Sequence, residues 1–181
     1  MSELRASAKR LAARGHINQR YNEGSYMEMH LERVAVAAHG IAYREKITDQ
    51  ELLDIIFCSA IMHDYLEDCF DYSFTSLEDE YKNLAKELNK PIANAVLILS
   101  RNNYESYDEY FKTVSENIIT KIVKAADRLS NILSLPELKI KKRRNTLLEK
   151  YKTQEEYFIK YNIYPEYIRR AIREIEIMLK T

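Results

Sequence analysis

The sequence has little glycine, proline or cysteine and no tryptophan: its 181 residues include 3 Gly, 3 Pro and 2 Cys. Because glycine and proline interrupt helices, and because the apolar residues recur at spacings of three and four, the sequence predicts an all-α fold in the form of a helical bundle. Cys58 and Cys69 form no CxxC pair. Two cysteines eleven residues apart make no disulfide framework, so they are predicted to be reduced thiols, and the absence of a CxxC pair excludes a CxxC zinc site.

The chain also lacks an excess charge of either sign, with 28 Lys and Arg against 28 Asp and Glu. General nucleic-acid binders and proteins of anionic membrane surfaces usually carry a basic excess. No apolar run approaches the ~20 residues that cross a bilayer, and the N-terminal MSELRASAKRLAARGH lacks the apolar segment of a secretory signal. We therefore expect a cytoplasmic protein that binds neither membranes nor nucleic acids in general.

The length predicts a single domain spanning residues 1–181. The third helix, about 49–68, should open with a capping box formed by Thr48 and Glu51, and its apolar middle places it at the centre of the bundle. A short helix is expected after the NNYE loop at 102–105. The other helices are expected over about 2–17, 26–42, 76–88, 91–101 and 116–135, with two more between 137 and 180 divided near Pro165.

Polar side chains interrupt the apolar third helix where the sequence reads HDYLED. On a continuous helix, the i,i+4 pairs His63 with Glu67 and Asp64 with Asp68 would cover one sector of the surface. Buried carboxylates are costly unless they are paired or bound to a metal. The segment therefore predicts a cluster of ligands or proton carriers.

Two other predicted helices carry polar groups in apolar surroundings. Lys124, Asp127 and Asn131 follow one another at spacings of three and four, and His30 begins the second helix. Two imidazoles and two carboxylates from three helices form a mixed nitrogen and oxygen set that suits octahedral Mn²⁺, Fe²⁺ or Mg²⁺. Such a set leaves positions open for water and a substrate oxygen, as hydrolysis requires.

These residues resemble the H…HD…D pattern of the HD phosphohydrolase superfamily, with His30, His63, Asp64 and Asp127 in the four positions. AIMHDYLEDC is similar to ALLHDxxEDT, and VKAADRLSNI is similar to VKLADRLxN, of the (p)ppGpp 3′-pyrophosphohydrolases of the RelA/SpoT type and their small stand-alone relatives. Upstream, GHINQRYNEGSYMEMHLERVA resembles HxxQxRxxGxPYxxHxxxVA of that group. The resemblance covers a motif-bearing core of about residues 10–135 and leaves the C-terminal helices, 137–180, without a diagnostic motif.

The resemblance implies a hydrolase in which a metal-bound water removes pyrophosphate or phosphate from the 3′ position of (p)ppGpp or a related purine nucleotide. Glu67 and Asp68 would orient that water or accept its proton, and Asn131 would face the ribose or the 3′-phosphate. Lys124, Arg128 and Arg20 would bind diphosphate oxygens. Two-metal HD enzymes add histidines after the HD pair, and no His follows His63. One divalent cation is therefore expected, Mn²⁺ ahead of Mg²⁺ or Fe²⁺.

The sequence departs from the group at three places. Tyr21 stands where an Arg usually lies nine residues before the first metal His, Tyr26-Met27 replaces Pro-Tyr, and Cys69 replaces Thr. Two alternatives stay open: an HD-type 5′-nucleotidase or dNTP phosphohydrolase, and a non-catalytic nucleotide-binding or regulatory module. Association into a homo-oligomer through the tyrosine-rich C-terminal helices is also left open.

Overall fold

The computed structural model describes residues 2–179, which form ten α-helices and one short hairpin. The helices are α1 (Glu3–Gly15), α2 (Glu32–Arg44), α3 (Gln50–Met62), α4 (Tyr65–Asp68), α5 (Leu77–Glu87), α6 (Lys90–Leu99), α7 (Tyr107–Ser115), α8 (Ile118–Leu133), α9 (Lys141–Lys160) and α10 (Pro165–Met178). Strands β1 (Arg20–Tyr21) and β2 (Gly24–Ser25) pair in antiparallel register. The predicted all-α class is confirmed, and within the described residues no helix combines the length and apolarity needed to cross a bilayer.

Side-chain caps explain where several helices begin. Ser76 accepts a hydrogen bond from the backbone N–H of Asp79, and Asn89 accepts one from Ile92, so each satisfies a free donor of the first turn. The predicted capping box at α3 is wrong, because the cap is Asp49, whose carboxylate accepts from the N–H of Leu52. At the other end of the chain, α10 stops at Met178, and Lys180, where the last helix was predicted to end, lies outside the described residues.

The predicted helix over 49–68 is two helices. The backbone leaves α3 at His63, passes through Asp64 with φ −96° and ψ 0°, and restarts as α4. The prediction that the four polar groups of HDYLED share one face of a continuous helix is therefore wrong. A second irregularity precedes α2, where Met27–Leu31 form a π-helical turn that contains His30. Such turns recur at functional sites because they change the direction of one side chain within a helix.

The centre of the bundle is α3, as its apolar sequence predicted. It contacts α1, α2, α6 and α8, and the side chains of Ile56, Ile61 and Met62 are buried completely or almost so. Burial of each such side chain stabilises the fold by about 1.5–3 kcal/mol relative to exposure. The predicted division of the C-terminal region near Pro165 is confirmed: α10 packs on α8 and α9. A rigid core thus surrounds the end of α3, where His63 and Asp64 lie.

Candidate metal centre

Three separate elements bring His30, His63, Asp64 and Asp127 together. His30 comes from the π-helical turn, His63 and Asp64 from the break after α3, and Asp127 from α8. Nε2 of His30 lies 3.6 Å from Oδ2 of Asp64 and 3.6 Å from Oδ1 of Asp127. Nε2 of His63 lies 3.0 Å and 3.8 Å from the same two oxygens. All four side chains thus direct an acceptor atom to one point.

The ring of His63 is set up as a ligand. Its Nδ1 lies 2.8 Å from the carbonyl oxygen of Ala60, and only a protonated Nδ1 can donate to a carbonyl, so Nε2 is the nitrogen that faces the cluster and can bind a cation once it has lost its proton. Nε2 is buried and has no hydrogen-bond partner among the described residues. Neighbouring ligands of an octahedral cation with bonds of about 2.1 Å lie about 3 Å apart. The 3.0 Å between this nitrogen and Oδ2 of Asp64 fits that spacing.

The donor set fits a single divalent cation. His30, His63 and Asp64 offer ligand atoms that lie within 4.8 Å of one another, and Oδ1 of Asp127 adds a fourth, 3.6 Å and 3.8 Å from the two Nε2 atoms. Nitrogen and oxygen donors without thiolate are typical of Mn²⁺, Fe²⁺ and Mg²⁺ sites. The residues present therefore fit the metal that the sequence motif implies.

Both carboxylates of the cluster are held in the ionised form. Burial opposes the ionised carboxylates, but the two imidazoles hold the pKa of Asp64 well below its usual range. Burial likewise opposes the charge on Asp127, yet Lys124 and the imidazoles lower its pKa to about 2. Burial alone would lower the pKa of His63, whereas Asp64 and Asp127 raise it to about 9. Two ionised carboxylates in a buried site attract a divalent cation.

Neighbours on α8 hold Asp127. Nζ of Lys124 donates to its Oδ2 at 3.0 Å, and Nδ2 of Asn131 donates to its Oδ1 at 2.6 Å. Asn131, which was expected to face the ribose or the 3′-phosphate, thus donates an amide N–H to Asp127. Its Oδ1 accepts a hydrogen bond of 3.0 Å from the hydroxyl of Tyr21. Burial raises the pKa of Tyr21 to about 12, so this hydroxyl remains a donor at neutral pH.

A polar cavity of about 170 Å³ opens beside the cluster. Glu67 projects into it and accepts a hydrogen bond of 2.8 Å from the backbone N–H of Arg101. Burial and the charge of Asp64 raise the pKa of Glu67, despite that hydrogen bond. The cavity is also lined by four cationic side chains, which come from three segments of the chain. These are Arg101, Lys124, Arg128 and Lys150.

Two predicted site residues lie elsewhere. Asp68 is exposed outside the lining of this cavity and accepts a hydrogen bond of 3.1 Å from Gln19. Arg20 donates to the carbonyl oxygen of Glu23 at 2.9 Å and lines a second cavity of about 200 Å³. Asn131 and Tyr21 line that second cavity too. Of the six predicted catalytic and substrate-binding residues, Glu67, Lys124 and Arg128 therefore lie in the cavity next to the candidate metal ligands.

Sequence reasoning missed several residues that build the site. Arg101, Lys150 and Gln154 line the cavity, and nothing in their sequence neighbourhoods distinguishes them from ordinary surface residues. Tyr21 and Tyr26 contact the cluster directly, since their rings flank His30 and the hydroxyl of Tyr26 donates to Asp64. Both were visible beforehand as departures from the family pattern.

Comparison with known proteins shows that the fold of this chain resembles that of a solved structure. No protein-family model and no curated protein matches the sequence. A solved structure does match, with a TM-score of 0.66 over 96% of both chains and 18% sequence identity. It is described as a metazoan ortholog of SpoT that hydrolyses ppGpp and plays a role in starvation responses. The chain therefore has an HD-type all-α fold. The likeness over nearly the whole chain extends the resemblance to the C-terminal helices, where no motif was found.

Proposed function

We propose that the chain is a metal-dependent nucleotide phosphohydrolase that removes pyrophosphate or phosphate from the 3′ position of (p)ppGpp or a related purine nucleotide. The observation that carries the proposal is the convergence of two imidazole nitrogens and two carboxylate oxygens, at 3.0–3.8 Å, beside a cavity lined by four cationic side chains. The convergent nitrogen and oxygen atoms suit a divalent cation. The cationic side chains suit a phosphorylated ligand.

The proposed metal ligands are His30, His63, Asp64 and Asp127, and the proposed ion is Mn²⁺, with Mg²⁺ or Fe²⁺ as other candidates. A divalent cation held there would polarise a phosphoryl oxygen and lower the pKa of a nearby water. Glu67 is the proposed proton acceptor, because it lines the same cavity and because its raised pKa brings it closer to neutrality, where a general base works best. Asp68, which is exposed outside this cavity and bonded to Gln19, is not assigned to this role.

The cation-lined cavity is the proposed site of the leaving diphosphate. Its volume of about 170 Å³ lies below the roughly 300–1,000 Å³ of sites that enclose a whole small molecule, so it accommodates a phosphate-bearing part of the substrate. One buried donor in its lining, the Nε–H of Arg128, has no partner among the described residues and would find an acceptor in a phosphate oxygen. Arg128 is also held over the ring of Tyr151 at 4.5 Å. A ligand could thus satisfy polar groups that are already in place.

The nucleoside is proposed to extend towards the second cavity. That cavity of about 200 Å³ contains Arg20, Arg143 and the rings of Tyr21 and Tyr151, and Asn131 lies between it and Asp127. Arginine and tyrosine side chains suit a phosphate and a planar base, respectively. The choice of a 3′-phosphorylated purine nucleotide draws on the motif resemblance and on the fold shared with a protein described as hydrolysing ppGpp.

The test is hydrolysis of a nucleotide panel with added Mn²⁺, comprising ppGpp, NADPH, dNTPs and nucleoside monophosphates, with products separated by ion exchange. Release of pyrophosphate or phosphate from a 3′ position supports the proposal. Orthophosphate or triphosphate from a 5′ position would instead indicate a 5′-nucleotidase or dNTP phosphohydrolase. Nucleotide binding without turnover on the whole panel would indicate a regulatory module. Asp71→Asn, which changes an exposed loop carboxylate bonded only to Ser73, is the matched control for Asp64→Asn.

A further inference from the structure

The hairpin of β1 and β2 places two tyrosines against the ring of His30. The ring of Tyr21 stacks on His30 with centroids 5.0 Å apart and planes 15° apart. The ring of Tyr26, which follows the hairpin, lies 5.0 Å from the same imidazole at 49°. His30 is therefore enclosed by one aromatic ring on its face and a second at an angle to it.

Both tyrosines are linked by hydrogen bonds to a carboxylate of the cluster, Tyr26 directly and Tyr21 through Asn131. The hydroxyl of Tyr26 donates to Oδ2 of Asp64 at 2.5 Å, and this is the oxygen that lies 3.0 Å from Nε2 of His63. The hydroxyl of Tyr21 donates to Asn131, whose amide donates in turn to Oδ1 of Asp127, the oxygen that faces both imidazoles. The two hydroxyls thus act on the two oxygens that would contact a cation.

A metal site needs its histidine rings held in a fixed orientation. A histidine that binds metal through one nitrogen is usually oriented by a hydrogen bond from the other. His63 has that bond through Ala60, whereas Nδ1 of His30 has no partner among the described residues. The orientation of the His30 ring is instead set by its contacts with Tyr21 and Tyr26. The hydroxyl of Tyr26 stabilises the charge of Asp64 and that of Tyr21 orients the amide that donates to Asp127, while both carboxylates keep lone pairs free for a cation.

We infer that Tyr21 and Tyr26 are positioning residues that fix His30, Asp64 and Asp127 in the geometry that binds a divalent cation. The same two positions are where the sequence departs from the motif it otherwise resembles, with Tyr21 in place of Arg and Tyr26-Met27 in place of Pro-Tyr. The inference rests on the proposed metal site and is independent of which nucleotide the protein hydrolyses.

The experiment measures Mn²⁺ affinity by isothermal titration calorimetry, and the Mn²⁺ environment by electron paramagnetic resonance, in Tyr26→Phe and Tyr21→Phe. Each substitution keeps the ring against His30 and removes one hydroxyl. Loss of a group that orients a ligand typically weakens metal binding about 10–100-fold, and we expect a loss in that range for Tyr26→Phe. The loss for Tyr21→Phe should be smaller, because Tyr21 acts on Asp127 through Asn131. It should add little to the effect of Asn131→Ala in the double variant.

The matched control is Tyr81→Phe, which also removes a tyrosine hydroxyl bonded to an asparagine oxygen, that of Asn94 at 2.7 Å, but outside the cluster. Its Mn²⁺ affinity should equal that of the unaltered protein. Should Tyr21→Phe not fold, Asn131→Ala breaks the same chain of hydrogen bonds, and unchanged affinity in that variant would overturn the role of Tyr21. For Tyr26, Tyr26→Leu removes the hydroxyl and the ring together, and unchanged affinity in that variant would overturn the role of Tyr26.

The outcomes separate this inference from the proposed function. If the unaltered chain binds Mn²⁺ and the Phe variants bind it as tightly as Tyr81→Phe does, the two tyrosines are packing residues and the inference is overturned while the metal site stands. If the unaltered chain binds no Mn²⁺, Mg²⁺ or Fe²⁺, the metal site itself is overturned. Weaker binding in the Phe variants with unchanged melting temperatures supports the inference.

Discussion

Oδ1 of Asp127 lies 3.6 Å from Nε2 of His30, although the two residues belong to elements far apart in the sequence. Both side chains are buried, and the packing of α2 against α8 brings them together. A buried carboxylate is costly unless it is paired, and Asp127 has both imidazoles and Lys124 as partners. The packing of the helical core therefore brings together the groups that we propose bind the cation.

Asp64→Ala and Glu67→Gln should separate metal binding from turnover. Asp64 supplies an oxygen next to both imidazoles, so its loss should weaken Mn²⁺ binding by more than about 100-fold and abolish turnover with it. Glu67 lies in the cavity without contacting an imidazole, so Glu67→Gln should keep Mn²⁺ affinity and lose turnover by about 10²–10⁴-fold. Calorimetric titration and initial rates on the same preparations give the two values. Equal loss of metal in both variants would contradict this division of roles.

The raised pKa of Glu67 predicts a pH-dependent effect of the same substitution on stability. A carboxyl whose pKa is higher in the folded than in the unfolded state favours folding when protonated, and this contribution is lost as the pH rises through the folded pKa. The ionised carboxylate of Glu67 therefore destabilises the folded state, and the uncharged amide of Gln does not. The melting temperature of Glu67→Gln relative to the unaltered protein, measured in chelator, should be more favourable at pH 8 than at pH 4.

Glu116→Gln at the exposed end of α7 serves as the control for this measurement, since it changes the same functional groups outside the site. A melting-temperature difference for Glu67→Gln that stays constant from pH 4 to 8, or that becomes less favourable with rising pH, would refute the buried-carboxylate explanation. The comparison needs no substrate, so it holds whatever nucleotide the protein acts on.

Most helix positions could be predicted from the sequence because local chemistry determines them. Ser76 and Asn89 cap their helices by bonds to the next turn, and Pro91 and Pro165 lie where a missing N–H costs nothing. The clustering of the candidate metal ligands was likewise predictable, because two histidines and two acids in apolar surroundings are costly without polar partners. In the structure, Nε2 of His63 lies 3.8 Å from Oδ1 of Asp127, so each of these two residues has the other as a partner.

The break after α3 and the π-helical turn at His30 could not be predicted in this way. Both depend on tertiary packing, which turns the side chains of His30 and Asp64 towards α8, and no local pattern of apolar residues encodes that turn. The lining of the cavity was missed for a related reason. Arg101 and Lys150 have the composition of ordinary surface residues, and only the folding of α9 against α7 and α8 brings Lys150 beside the cluster.

Lys150→Ala should weaken substrate binding without changing the chemical step. Lys150 is exposed and lines the cavity proposed for the leaving diphosphate, where a charged hydrogen bond to phosphate contributes about 1.5–3 kcal/mol. We expect KM for ppGpp to rise about 10-fold or more while kcat changes little. Lys82→Ala on α5, whose ammonium pairs with Glu78, is the control. An unchanged KM would remove Lys150 from the proposed diphosphate site.

Lys124→Met should destabilise the protein and make its stability depend on divalent metal. The ammonium of Lys124 lies 3.0 Å from Asp127, and the two side chains are only 14% and 10% exposed. Removing one partner of a buried ion pair costs about 3–5 kcal/mol, and because Asn131 still donates to Asp127 we expect a loss towards the low end of that range. Urea unfolding in chelator should show that loss, and added Mn²⁺ should recover part of it, because a cation at the cluster again compensates Asp127.

The double variant Lys124→Met/Asp127→Asn is the control. It should be more stable in chelator than Lys124→Met alone and should gain less from Mn²⁺, because the charge of Asp127 and one proposed metal ligand are both gone. If Mn²⁺ stabilises the single and double variants equally, Asp127 does not take part in metal binding.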